Sequence, residues 1–297
     1  MPLRMRGWSC RTIPGNSRAA RLRRQAILIV GAWLLGAGWM PPAEATEEAV
    51  EADHAVPIAN PAPGIRVGER LSFQGRWFGL PVGSGWIEVK ELTTLQGRSV
   101  YRIDAEGSSN DLLSTFYPIH DSLRSYLDAT TLQPVQFEKD QREGRYRANE
   151  IVTFDHTRHV ATYLSRLNHS TKDIPIPEDV HDLVSAFYWL RTQPVEVGRP
   201  LVVDLYTDEK VYRTVFKPLK SMMLELLRRG TFPCVAVEPL ASFKGILVER
   251  GRVVAYVTAD ERRIPLLVKI WTPWGLMTGT IDREVLQRAY GQPRGPG

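Results

Sequence analysis

A chain of 297 residues with 38 basic and 33 acidic side chains has room for one large domain or two ordinary ones. Its basic excess sits at the start: residues 1–25 hold seven arginines and no acid, and setting aside residues 1–45, which also contain Glu44, leaves 31 bases against 32 acids. A near-neutral chain disfavours nucleic-acid binding, which takes a net basic surface or a clear basic stripe, and "LLRRG" and "DERRIP" are too short to make one.

In chain order, the arginine-rich start runs into the apolar stretch Ala26 to Met40 and then into Ala43-Glu44-Ala45, the small-x-small form that signal peptidase accepts. An apolar stretch of 15 residues falls short of the roughly 20 that span a bilayer as a helix. The expectation is a signal peptide over residues 1–45, a periplasmic location and no membrane span after cleavage. Arg23-Arg24 lacks the leucine and phenylalanine of a twin-arginine signal, since Ala26 and Ile27 stand there. Cys10 leaves with the leader and Cys234 remains alone, so no internal disulfide forms, and no cysteine follows the apolar run to carry a lipid anchor. Cys234 has apolar neighbours and reads as a buried, inert thiol. Residues 46–64, rich in proline and acid without apolar periodicity, read as a flexible tether.

From Ile65 onward, short runs alternate apolar and polar residues with a period of two. Leu71, Phe73, Gly75 and Trp77 make the first, Ile87 and Val89 belong to its hairpin partner, and the rhythm continues through "SVYRIDAEG", "SLRSYLD", "PVQFEKD", "YRANEIVTFD" and "HVATYLSRL". One segment differs: Val180, Leu183, Val184, Phe187 and Tyr188 follow helix spacing, with Asp179 as the expected cap and Pro194 closing the end. Its apolar face is expected to pack on the sheet. More strands follow. "SMMLELLRR" holds helix-favouring residues, yet its place before Gly230 suits a hairpin arm, and it is read as a strand. The fold class is mainly β: antiparallel barrel-like or sandwich sheets with one central helix over residues 65–285, followed by a disordered tail at 286–297.

The stretch "YVTADERRIPLLVKIWTPWG" reads as two strands joined by a charged hairpin tip at Asp260 to Arg263, with Asp260 accepting a local backbone hydrogen bond. Ile264, Leu266 and Val268 then share the more buried face. Arg262 on such a tip is a surface site whose truncation costs under about 0.5 kcal/mol.

"GERLSFQGRWFGLPVGSGWIEV", "FYPIHDSLRSYLDATTLQP", "DLVSAFYWLR" and "VTADERRIPLLVKI" resemble successive landmarks of the DUF3108 family, from about Gly68 to Thr280. "MMLELLRRG" departs from that pattern. The resemblance implies an exported, β-rich bacterial domain of unknown function and supplies no catalytic residues.

No G-x-S-x-G, G-x-G-x-x-G or P-loop occurs, and "GSG" at Gly83 to Gly85 lies in a hairpin, without the strand-turn-helix context of a nucleophile. His156 and His159 are three apart, which on a strand puts them on opposite faces; a solvated turn is the preferred reading, and no metal or cofactor is expected. His181 has no ligating neighbour at helix spacing. Asp104 with Glu106 and Asp121 with Asp128 are the carboxylate pairs on offer for glycoside cleavage, and no catalytic residue is assigned. Two charged clusters, His120-Asp121-Arg124 and Asp260-Arg262-Arg263, are either surface ion pairs worth about 0–1 kcal/mol each or the polar rim of an apolar cavity bordered by Trp77, Trp86, Trp271 and Trp274. On the cavity reading the ligand-binding residues are Trp77, Trp86, His120, Asp121, Arg124, Asp260, Arg263 and Trp271. The function expected is that of a non-catalytic cell-envelope binding or carrier protein for a hydrophobic or polymeric ligand, a lipid or an envelope glycan. The alternative is an envelope hydrolase acting on glycan or lipid.

Overall fold

The computed structural model describes residues 65–241, 252–273 and 275–291. The first run of strands is β1 (Arg70–Trp77), β2 (Leu80–Leu95), β3 (Arg98–Ser109), β4 (Ile119–Asp128), β5 (Pro134–Glu143), β6 (Tyr146–Asp155), β7 (Val160–Ser165) and β8 (Thr171–Pro175). The second is β9 (Val180–His181), β10 (Leu201–Thr207), β11 (Lys210–Leu226), β12 (Gly230–Ala241), β13 (Arg252–Thr258), β14 (Pro265–Thr272) and β15 (Gly275–Ile281). Helix α1 (Asp111–Ser114) joins β3 to β4, α2 (Leu183–Thr192) joins β9 to β10, and α3 (Arg283–Tyr290) follows β15.

These strands make one 15-stranded sheet in the order β8 to β1, then β15 to β9. The chain winds outward from β1 to one edge, crosses by β9 and α2 to the other edge, and winds back until β15 pairs antiparallel with β1. Side chains bring the two edges together. Lys139 of β5 reaches Asp208 in the β10–β11 turn at 2.8 Å, Lys172 of β8 pairs with Glu209, and the rings of Phe154 and Tyr206 meet edge-on at 5.5 Å. The sheet is therefore curled and barrel-like rather than a sandwich, closed by side chains where a hydrogen-bonded ladder is missing.

Alternation decides what points inward. On β4, Ile119, Asp121, Leu123, Ser125 and Leu127 are buried, while the residues between them are partly or fully exposed. The main core gathers Leu71, Phe73, Ile87, Ile103 and Phe137 from the first run with Leu266 and Ile281 from the second, and α2 adds Val184, Phe187 and Tyr188.

The helix begins later than its apolar spacing suggested. Asp182, not Asp179, is the cap: its carboxylate accepts from Val184 N at 2.7 Å and Ser185 N at 2.9 Å, while Ser185 Oγ accepts from Asp182 N. That reciprocal capping box satisfies several of the helix's first amides at once. Val180 is buried as expected, but on β9, opposite Asp204 of β10.

"SMMLELLRR" is strand through Leu226, because pairing of Met222, Leu224 and Leu226 with Cys234, Phe232 and Gly230 outweighs helix propensity. Residues past 285 do not begin a tail at once: α3 continues through Tyr290, with Leu286 buried against the core. The leader, the tether and Trp274 lie outside the described residues.

Candidate functional site

Because successive strands reverse direction, the turns β1–β2, β3–β4, β5–β6 and β14–β15 leave the same end of the barrel, called here the upper end. At the β1–β2 turn Trp77 lies opposite both Leu80 and Met277, which places it on the inward face of buried Met277. Phe78 sits at φ 49°, donates N–H to Leu276 O at 3.1 Å and lays its ring on Gly275, where any Cβ would strike it. A bulky aromatic rarely holds positive φ, so this tip is strained into place.

Helix α1 stands beside that turn. Asn110 caps it through Leu113 N and ties it to β2 by donating Nδ2–H to Pro81 O at 2.8 Å and N–H to Val82 O at 2.9 Å. Leu112 and Phe116 stay exposed on the helix so held, while Tyr117 folds down onto Gly144 of the β5–β6 turn. The result is an apolar rim of Trp77, Phe78, Leu80, Leu112 and Phe116.

Beneath the rim the inner wall is partly bare backbone. Gly85 lies opposite Gly107, and Gly75 lies between Gly83 and Gly279. A side chain at Gly279, on the inward face shared by Met277 and Ile281, would meet no atom within 4 Å at its Cβ. There is room inside the barrel at that point, directly below Trp77.

A polar group lies on the inward face of β4 and β5. Asp121 and Glu143 are 0% and 1% exposed on that face; Asp121 Oδ1 accepts from Arg142 N at 3.0 Å, while Asp121 Oδ2 and both Glu143 carboxylate oxygens have no hydrogen-bond partner among the described residues. Burial pushes both carboxyls up, and for Asp121 the neighbouring Glu143 charge adds to the rise. Tyr117 and Tyr146 cover the pair, and burial together with nearby carboxylates pushes each phenol up to about 12. Farther along β5, Lys139 lies 2.8 Å from Glu150 and from Asp208; burial pulls its ammonium down, and the two acids more than offset that.

Residues 72–282 match the DUF3108 family, described as a protein of unknown function. The chain belongs to that family. None of the curated proteins matches this DUF3108 chain. Among solved structures it is similar to a beta-barrel-like protein of the domain of unknown function DUF1849 from Brucella abortus, at 9% identity and TM-score 0.50, covering 72% of this chain and 94% of that one. That likeness shows the fold. A candidate lipoprotein from Parabacteroides distasonis overlays at TM-score 0.32 with 8% identity, covering 73% of this chain and 94% of that chain. A candidate exported protein from Bacteroides fragilis overlays at TM-score 0.27 with 6% identity and the same coverages, 73% and 94%. Neither is close enough to carry more.

The structure of the DUF3108 chain scatters the residues singled out from sequence. Trp77 and Asp121 reach the upper end of the barrel, one at the rim and one inside it. His120 and Arg124 leave β4 on the opposite face from Asp121, and Arg124 Nε donates to Asp104 at 2.9 Å. Trp86 lies on the outer face beneath the Arg70 guanidinium, 3.9 Å from its ring centre, and Trp271 stands beside Arg252 at 5.7 Å. Asp260 and Arg263 occupy the β13–β14 turn at the lower end.

That turn is a hairpin tip, and Asp260 accepts a local backbone hydrogen bond there as expected. Its carbonyl, not its carboxylate, accepts Arg263 N–H, and its carboxylate receives the hydroxyls of Thr258 at 2.6 Å and Tyr290 at 2.8 Å. Arg262 is not a plain surface residue: it donates to Ala289 O and lies 4.9 Å over the Tyr290 ring. Arg263 donates to Arg191 O at 2.8 Å. Asp260, Arg262 and Arg263 latch the turn to α2 and α3.

Among the carboxylates, Asp104 is held by Arg102 and Arg124, and Asp128 caps its own turn through Thr130 N and Thr131 N. Both ring nitrogens of His156 face backbone carbonyls, those of Glu178 and Pro134. Sequence reasoning passed over Glu143, Gly279, Phe78 and Phe116. The available signal was a run of large apolar residues inside two turns, "FGL" and "LLSTF", where turns are ordinarily polar.

Proposed function

We propose that this is an exported, periplasmic binding or carrier protein of the cell envelope, and that its ligand is a hydrophobic molecule received through the apolar rim. The observation that carries the reading is the space over Gly279 on the inner wall, beneath Trp77 and Leu80. A concave, mainly apolar site with few polar groups suits an acyl chain or similar ligand. Export rests on the arginine-rich start, the apolar run and Ala43-Glu44-Ala45. Among the described residues no helix is long and apolar enough to cross a membrane.

The buried carboxyl pair favours this reading over an envelope hydrolase. Glycosidase carboxyls flank a bond that is open to substrate, whereas Asp121 and Glu143 are both closed off from solvent. Native mass spectrometry of protein recovered from the periplasm tests the proposal. The expected spectrum shows a mature chain starting near Thr46 with a lipid-sized adduct; an empty protein that hydrolyses envelope glycan would replace it with the enzymatic reading.

A further inference from the structure

We infer that the upper rim is a docking surface for an anionic phospholipid bilayer, a role that rests on the rim alone and holds whether or not the interior carries a ligand. Five large apolar side chains on two adjoining turns are exposed: Trp77 is 38% exposed, Leu112 55%, Leu80 61%, Phe78 69% and Phe116 81%. Isolated exposed apolar residues are ordinary, but a contiguous group of this kind marks an interaction surface.

The group is also held in place. Asn110 ties α1 to the β1–β2 turn through Pro81 O and Val82 O, and Phe78 keeps its unfavourable φ of 49° through Leu276 O and its seat on Gly275.

Charge complementarity selects the occupant. Arg76 flanks the β1–β2 turn, and Arg145 and Arg147 flank the adjoining β5–β6 turn; all three are exposed, and among the described residues of the upper end the exposed acids are Asp111 on α1 and Asp208 in the β10–β11 turn, the latter paired with Lys139. Arg76 and Arg147 are steadied by carbonyls of their own turns, Gly79 O and Gly144 O. Aromatic side chains beside arginines match the boundary between acyl chains and phosphate headgroups: the rings enter the interface and the guanidinium groups meet phosphate. A second protein with an apolar face would gain nothing from that arginine fringe.

Co-sedimentation of the purified protein with vesicles of phosphatidylglycerol and phosphatidylcholine, against vesicles of phosphatidylcholine alone, tests the inference. Wild type is expected to bind the anionic vesicles at least about tenfold more tightly, a preference that salt weakens. The double variant Phe78→Ser/Phe116→Ser is expected to lose binding to both, and Arg145→Glu/Arg147→Glu to lose only the anionic preference, each with an unchanged circular dichroism spectrum. Gly279→Leu, which alters the interior alone, should bind vesicles like wild type. Equal sedimentation of wild type and the double serine variant would overturn the inference. So would a wild-type dimer in light scattering that ignores vesicles and becomes monomeric in that variant, because the rim would then be a self-interface.

Discussion

Arg191, at the end of α2, grips Glu69, the residue before β1, with two parallel hydrogen bonds of 2.5 and 2.8 Å. Arg191 is 2% exposed, and its Nε also donates to Arg262 O at 3.0 Å. One guanidinium thus joins the helix, the first strand and the β13–β14 tip. Removing one partner of a buried pair strands the other charge, so Arg191→Ala should lose about 3–5 kcal/mol in urea unfolding. Arg191→Met, which fills the space but leaves Glu69 unpaired, should recover only part of it.

The same junction sets the expectation for the charged tip. Arg262→Ala forfeits the bond to Ala289 O and the stacking on Tyr290, and should cost about 1–2 kcal/mol rather than the fraction expected of a free surface arginine. Vesicle binding and ligand content should not change. If they fall while the thermal midpoint stays fixed, the tip is a functional site and not a latch.

The pair Asp121 and Glu143 gives a pH signature. Both carboxyls are pushed up on folding, Glu143 to about 7, so the native state holds protons that the unfolded chain releases. Their stabilising contribution is complete below ordinary carboxylate values near 4 and is lost as pH rises through neutrality. Burial pulls His181 the other way, down to about 4, so the comparison must be made between proteins at each pH. Asp121→Asn/Glu143→Gln should gain on wild type by about 1–3 kcal/mol between pH 5 and pH 8. A pH-independent difference would mean that folding does not raise the two carboxyls. Lys139, Arg142 and the two tyrosines remain in both proteins and largely cancel.

Leu266 is 0% exposed on β14, with Ile264 and Val268 buried on the same face. Leu266→Ala should therefore cost about 2–5 kcal/mol, and a loss under about 1 kcal/mol would show that the strand's inner face is loosely packed.

Strands were legible because period-two alternation is a local property, visible in Leu71 to Trp77 or Ile119 to Leu127 without knowing what lies opposite. The start of α2 was not, since Asp179 and Asp182 both look like caps and only the second has Ser185 placed to answer it. Membership of the candidate site was least legible. Asp121 meets Glu143 because the antiparallel register sets Ile119 opposite Glu143, and register is a contact between distant residues. Clustering His120, Asp121 and Arg124 by sequence ignored the same alternation, which sends the first and last to the outer face. Nor does a bare TGT in the sequence reveal that the wall at Gly279 opens onto space.

Gly279 offers the most direct measurement of the carrier reading, since a Cβ there meets no atom within 4 Å and a larger side chain would extend into that space. Wild type and Gly279→Leu, expressed with the full leader and recovered from the periplasm, are compared by native mass spectrometry and lipid extraction. The account predicts a bound hydrophobic ligand in wild type and less than about one tenth of that occupancy in Gly279→Leu at a similar thermal midpoint. Equal occupancy in the two proteins, or a wild type that carries no ligand and takes none up from added phospholipid, would contradict it.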